Sequence, residues 1–191
     1  MITVTSRTTE IETKYVEKDI VCHIEEKDII SKLKDDIELY IPTIGRVKWT
    51  AKCNRLMAVD CAERVIHFWS EKYPEDDRPQ KAIAAARDFA NGLIKKDKLE
   101  EARKAVSAAS NGVYGVELCA ILAARYTTHG THPQLSADCA AYACAFSDVI
   151  THEASLLAEN KERDWQLAHF MECAAKNALP VEEPANRSPV C

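Results

Sequence analysis

Between Ala58 and Leu93 the apolar positions keep helical spacing twice over. Val59, Ala62, Ile66, Trp69 and Tyr73 fall at steps of three and four, so they line one face of a helix that has to be buried. Ala82, Ile83, Ala86, Phe89, Ala90 and Leu93 repeat the pattern, with Lys81, Asp88 and Asn91 on the opposite side. Pro74 cannot continue the first helix. Asp76 or Asp77 caps the second, and Pro79 sits in its first turn, where a missing N–H does no harm. The pattern predicts a helical hairpin with a short acidic elbow, Glu75-Asp76-Asp77-Arg78.

The flanks read differently. Residues 2–22 are rich in Thr, Val and Ile, lack Gly and Pro, and place Val4, Ile11, Thr13 and Tyr15 among polar neighbours. They predict a small hairpin or edge strand, which is marginal unless it packs on something. It serves either as an interaction arm or as cover for one end of a helical core. From Glu25 to Tyr40 the residues Ile29, Ile30, Leu33, Ile37 and Tyr40 recur at helical spacing until Pro42, and residues 41–48 then form a linker containing Gly45. Beyond the central hairpin, Asp97 and Glu100 are spaced as a capping box for a helix carrying Leu99, Ala102, Val106 and Ala109, which Asn111-Gly112 ends. Tyr114, Leu118, Ile121 and Leu122 mark another helix, fading into an irregular connector from Tyr126 to Gln134. Ser136 is placed to cap a long helix lined by Cys139, Tyr142, Ala143, Phe146, Ile150 and Leu157, and Leu167, Phe170, Met171 and Ala174 line the last one. Alanines and cysteines on these faces let helix axes come close. The expected architecture is mainly α, a multi-helix bundle with a small N-terminal β-hairpin or edge strand. Residues 1–47 hold the β element, a helix and a linker, residues 48–178 the helical domain, and the proline-rich residues 179–191 a flexible tail.

Composition sharpens the picture. The 191 residues are enough for one core of ordinary size, and 47% hydrophobic with 29% charged residues is a globular balance. A net charge of −5 gives no general attraction for phosphate backbones, so nucleic acid is not an expected partner and a basic surface is. No apolar run approaches the roughly 18 residues of a membrane span, and no charged-then-apolar leader is visible, so the expectation is a cytoplasmic protein without membrane contact. Of 8 cysteines, Cys119, Cys139, Cys144 and Cys173 lie among alanines in helical patterns, as small buried thiols do, and none forms a CxxC pair.

Candidate chemistry is sparse. Asp60, Glu63 and His67 lie at i, i+3 and i+7 on one strip beside the buried face, where a metal or an acid–base pair is conceivable with His152 and Glu153 as further groups. Interhelical hydrogen bonding is the plainer role for the same five residues. Glu153 falls on the apolar stripe between Phe146 and Leu157 and there needs a partner such as Arg64, Arg87 or Arg125. His129 and His132 flank a glycine and would need two more ligands to hold a metal. No GxSxG, P-loop, GxGxxG or HExxH motif is present, so no catalytic residue, metal or cofactor is expected.

A family resemblance carries more. Asp60-Cys61-Ala62-Glu63-Arg64, Tyr73-Pro74-Glu75-Asp76-Asp77-Arg78-Pro79, Lys81-Ala82-Ile83, Ala85-Ala86-Arg87 and Glu162-Arg163-Asp164-Trp165-Gln166 together resemble the immunity-protein domain described as like the fifth immunity class of bacterial polymorphic toxin systems. The resemblance covers about residues 50 to 175, and the DDRP elbow is its most specific piece. It implies a non-enzymatic binding protein that neutralises a toxin by stoichiometric occlusion. The acidic balance of the chain adds a basic surface on that toxin as the expected partner, and the elbow Glu75, Asp76, Asp77 and Arg78 is the candidate contact, with helix capping the plainer role for its carboxylates. Two other readings stand beside it. One is a phage or mobile-element protein that binds a host factor, and the other is a small metal-dependent or hydrolytic enzyme built around Asp60, Glu63 and His67.

Overall fold

Alternating residues build the N-terminal part. The computed structural model describes residues 11–14, 21–24, 37–41, 43–129, 133–147 and 151–180. Among these, strands β1 (Ile11–Lys14), β2 (Val21–Ile24), β3 (Ile37–Ile41) and β4 (Gly45–Trp49) pair antiparallel in the order β2-β1-β3-β4. The hairpin expected near the N-terminus is β1–β2, with Ile11 opposite Ile24. The helix expected from Glu25 to Tyr40 is corrected over its last part. Ile37 and Tyr40 belong to β3, and residues 25–36 lie outside the described residues. Ile37 and Tyr40 are three apart, which suits a helix, yet Ile37, Leu39 and Ile41 also alternate, and pairing with β4 decides between the two periods. The expected linker of residues 41–48 is mostly that second hairpin. Ile44 N–H donates to Ile41 O at 2.9 Å, and Gly45 takes the left-handed φ of 97° that lets the chain re-enter the sheet.

Strand β4 fastens the sheet to the helices. Its Val47 and Trp49 are buried while Arg46 and Lys48 are exposed. The Trp49 indole N–H donates to Asn54 Oδ1 at 2.6 Å, and its ring lies 4.9 Å from that of Phe170. On the outer edge, Lys48 N–H donates to Asn177 O (3.2 Å) and Leu179 N–H to Arg46 O (2.7 Å), so chain following the last helix covers backbone that would otherwise be open to another strand.

Seven helices follow among the described residues: α1 (Ala51–Val65), α2 (His67–Lys72), α3 (Arg78–Ala90), α4 (Lys96–Ala109), α5 (Gly115–Thr127), α6 (Pro133–Ser147) and α7 (His152–Lys176). Thr50 caps α1, its Oγ1 accepting from Cys53 N–H at 3.3 Å. Helix α1 is central, touching α2, α3, α5, α6 and α7, and it buries Met57, Val59, Cys61, Ala62 and Val65. Helices α5 and α6, which pack on it and on each other, bury mostly alanines: Ala120, Ala123 and Ala124 of α5, and Ala137, Ala140 and Ala143 of α6. Ser136, expected as a cap, is instead buried inside α6, where its hydroxyl proton is shared between Ala58 O (2.8 Å) and Ala123 O (3.0 Å) and so ties three helices together.

Two further expectations are corrected. The long helix from Ser136 to Leu157 is two helices, because α6 ends at Ser147 and α7 starts afresh with Thr151 capping Ala154 N–H at 3.1 Å. The Asp97–Glu100 capping box does not form. Helix α4 already begins at Lys96, its first turn contains Asp97, and Glu100 pairs with Arg103. Among the described residues, no helix is long and apolar enough to cross a membrane.

Candidate functional site

Along α7, Glu162, Gln166, His169 and Cys173 are spaced at i, i+4, i+7 and i+11, which aligns them in one stripe. The stripe meets Asp60, Glu63 and Arg64 of α1 and Arg87 of α3 in a polar seam through the bundle. Glu162 is only 2% exposed. Its Oε2 accepts from Arg64 Nε at 2.8 Å and its Oε1 from Gln166 Nε2 at 3.3 Å, while the same amide nitrogen donates to Ala137 O at 2.9 Å. These bonds satisfy a carboxylate that could not stay buried alone.

Above that pair the groups stack. The Arg64 guanidinium lies 4.0 Å from the centre of the Trp165 ring, and Trp165 stacks on His169 at 4.8 Å with only 9° between the planes. His169 Nε2 lies 2.8 Å from Asp60 Oδ2 and 3.6 Å from Cys173 Sγ. Asp60 Oδ1 accepts from Arg87 at 2.9 Å, and Arg87 also reaches Glu63 at 2.7 Å. Burial works against the Arg87 charge, but the hydrogen bonds it donates to Glu63 and Asp60 outweigh it and hold the guanidinium more firmly protonated. Arg163 completes the lacing by donating to Asp138 of α6 at 2.6 Å.

The thiols around the seam are protonated at neutral pH. Burial pushes Cys139 up to about 12 and Cys144 up to about 11, the latter helped by the nearby Glu162. Burial also raises Cys61, Cys119 and Cys173. All six cysteines with described side chains are free. None of the five raised thiols has the depressed pKa of a reactive nucleophile.

Sequence spacing placed some of these groups and missed others. Asp60 and Glu63 do meet, on Arg87. His67 lies past a break in the helix at Ile66, is exposed, and rests 4.0 Å from the Phe68 ring, so the histidine that reaches Asp60 is His169. His152 and Glu153 are exposed in the first turn of α7. Glu153 therefore does not occupy the buried stripe expected of it. There a negative charge is favoured by the helix dipole, and the buried glutamate that pairs with Arg64 is Glu162. The four-position polar stripe of α7 was the available signal for Glu162, Gln166, His169 and Cys173. Exposed His129 has Nδ1 3.2 Å from Arg125 O, and His132 lies outside the described residues.

At the elbow, Asp76 rather than Asp77 supports the start of α3. Its Oδ1 accepts from Arg78 N–H (3.2 Å) and Nε (2.8 Å), and its Oδ2 accepts from Arg78 Nη2 (2.6 Å). The Arg78 side chain holds the Asp76 carboxyl below the usual carboxylate range. Asp77 occupies the cap position without a side-chain cap bond and pairs with Lys81 at 2.9 Å, while Glu75 is exposed. Trp69 Nε1 donates to Asp76 O at 2.9 Å, which locks the elbow onto α2. Beside it, a groove of about 280 Å³ is lined by Glu63, Ile66, Gln80, Ile83, Arg87 and Asp88.

The opposite character appears on α6. Leu135, Tyr142 and Phe146, at i, i+7 and i+11, share a face that is 41%, 47% and 55% exposed. Past the corner, Leu156 and Leu157 of α7 are exposed as well. Large apolar groups aligned and left in water mark a contact surface more readily than scattered ones do.

Residues 55–173, which run from α1 into α7 and include the whole seam, match the family described as Imm-5 like putative immunity protein. No curated protein and no solved structure matches the chain.

Proposed function

The chain belongs to this family of Imm-5 like immunity proteins, and from that premise we propose that it neutralises a toxin by stoichiometric occlusion of the toxin's working surface. The observation that carries the reading is the exposed apolar face of α6 and the start of α7: Leu135, Tyr142, Phe146, Leu156 and Leu157. Aromatic and aliphatic anchors of this kind supply most of the energy of a protein–protein contact once they are desolvated. In this reading residues 48–178 are the binding unit, and residues 1–47, which carry strands β1 to β3, are accessory to it. The protein acts in the cytoplasm on a protein partner with a basic face, toward which the net charge of −5 steers it. The exposed carboxylates Glu75 and Asp77 of the elbow are a second contact that a basic partner can use.

The test is co-expression with the toxin encoded beside this gene, followed by co-purification, a growth assay and titration of toxin activity. Protection, a complex that saturates near one to one, and faster association at low salt are expected. Replacing Tyr142 and Phe146 by Asp should abolish protection while leaving the melting temperature within a few degrees, since both side chains are exposed. Absence of binding to the cognate toxin would sink the immunity reading. Binding that survives these changes but is lost in Glu75→Lys/Asp77→Lys would move the contact to the elbow.

A further inference from the structure

Asp60 of α1 and His169 and Cys173 of α7 converge on one point between the two helices. Their nearest donor atoms all lie within 4.8 Å of one another, with the carboxylate and the thiol both directed at the same ring nitrogen, His169 Nε2, at 2.8 and 3.6 Å. An imidazole nitrogen has a single in-plane position, either a proton to give or a lone pair to offer, so it satisfies one of these neighbours and not both. A cation at the centre of the three uses all of them.

We propose that Asp60, His169 and Cys173 bind one divalent zinc ion, clamping α1 to α7, with the Cys173 thiol giving up its proton to solvent as the S–Zn bond forms. A tetrahedral zinc with Zn–O and Zn–N near 2.0 Å and Zn–S near 2.3 Å sets its ligand atoms about 3.3 to 3.6 Å apart. The sulfur–nitrogen separation of 3.6 Å already matches, the Asp60–His169 contact has to open by about half an ångström, and the Asp60 oxygen and Cys173 sulfur, within 4.8 Å of each other, have to come to about 3.5 Å. One oxygen, one nitrogen and one sulfur suit a borderline-soft ion and select against magnesium and calcium, which take oxygen ligands. The supporting groups are in place. Asp60 keeps its other oxygen on Arg87, which fixes the carboxylate, and Trp165 stacks flat on His169, which fixes the ring. His169 and Cys173 are one turn apart on a single helix, so they present their atoms to the same point. Each of the three is only partly buried, so none of them is shut off from solvent.

The experiment uses the full chain, stripped with chelator under reducing conditions and titrated with zinc chloride against a chromogenic chelator, then with cobalt chloride for its spectrum. One equivalent of zinc should bind, and cobalt should give the visible bands of a tetrahedral site together with a near-ultraviolet sulfur-to-cobalt charge-transfer band. Cys173→Ser should remove that band, and Cys173→Ser and His169→Gln should each weaken zinc binding by at least about 100-fold, since changes even to groups behind a ligand cost 10- to 100-fold. Cys119→Ser, on another helix, should leave binding unchanged, and circular dichroism of every variant separates lost ligation from lost folding. No stoichiometric zinc on the folded wild-type protein, or zinc and the sulfur band retained in folded Cys173→Ser and His169→Gln, would overturn the proposal. The immunity reading does not depend on the outcome, because protection and co-purification test it separately.

Discussion

Removing Arg64 should cost more than neutralising the glutamate it serves. Glu162 is 2% exposed, whereas Arg64 is 40% exposed. In Arg64→Ala the carboxylate keeps one good donor, Gln166 Nε2 at 3.3 Å, and a weak contact from Cys144 Sγ at 3.9 Å. Breaking a fully buried ion pair from one side costs about 3 to 5 kcal/mol. Arg64 itself reaches solvent, so water enters the vacated space and brings the expected cost down to about 2 to 3 kcal/mol, including the lost stacking on Trp165. At about 2 to 4 °C per kcal/mol for a chain of this size, the melting temperature should fall by roughly 5 to 10 °C. Glu162→Gln keeps the shape and removes the charge, and the freed Arg64 head turns to water, so the cost should be about 1 kcal/mol. On that background Arg64→Ala should cost only about 1 kcal/mol more, the packing and cation–π share. Urea unfolding of the two single variants and the double variant measures all three. Additive losses, or Arg64→Ala no worse than Glu162→Gln, would refute the dependence of Glu162 on Arg64.

Two other expectations follow from the elbow and the thiols. Asp76→Ala should destabilise by about 1 kcal/mol at pH 7, because Asp76 supports the first turn of α3 and pairs with Arg78. Its carboxyl is lowered in the folded state, so this contribution is present above the unfolded value near 4 and is lost as pH falls through the folded one; denaturation curves of wild type and variant should converge on acidification. The raised thiols act in the opposite sense. The unfolded chain begins to ionise its cysteines above about pH 8.5, while Cys139 and Cys144 hold their protons to about 12 and 11 in the folded protein, so stability should fall over this alkaline window by up to about 1.4 kcal/mol per pH unit for each thiol. Native Cys139 should correspondingly resist iodoacetamide at pH 8 until urea is added, and rapid labelling of the folded protein, read by peptide mass, would contradict its burial.

Helical periodicity located the central hairpin because both of its arms bury large residues on one side, Trp69 on one and Ile83 on the other, but the single helix expected from Val59 to Tyr73 is broken at Ile66 into α1 and α2. It failed where pairing partners lie far away in sequence. Nothing local to Ile37–Ile41 favours strand over helix strongly enough to outweigh the spacing of Ile37 and Tyr40, and the deciding information is the β4 register. The seam was legible by halves. Asp60 and Glu63 announce themselves one turn apart on α1, but the identity of the histidine that meets Asp60 depends on how α7 lies across α1, 109 residues further on. His67 was the nearer choice in sequence, and the break at Ile66 took it off the strip.

Helix α6 shows why the largest apolar residues do not always mark the core. A helix that packs closely between α1 and α5 has space there for a β-carbon and little else, so the inward positions are Ala137, Ala140 and Ala143, together with Ser136, whose hydroxyl reaches backbone oxygens on both neighbours. Ranking by hydrophobicity alone assigns Tyr142 and Phe146 to the inside, since alanine carries too little apolar area to compete with them. Close contact between helix backbones reverses that ranking, because the space between them excludes a ring whatever its transfer energy. Once the alanines are inside, helical geometry turns Leu135, Tyr142 and Phe146 outward together, at i, i+7 and i+11. The same small-residue packing that holds α6 against α1 therefore also presents an aromatic face to a partner, so Ala140→Leu should disturb both functions at once: it overpacks the α1–α6 contact, by about 1 to 3 kcal/mol, and shifts the face that Tyr142 and Phe146 occupy. Partner affinity that stays at the wild-type level in a folded but destabilised Ala140→Leu protein would show that the outward face is not set by the inward packing.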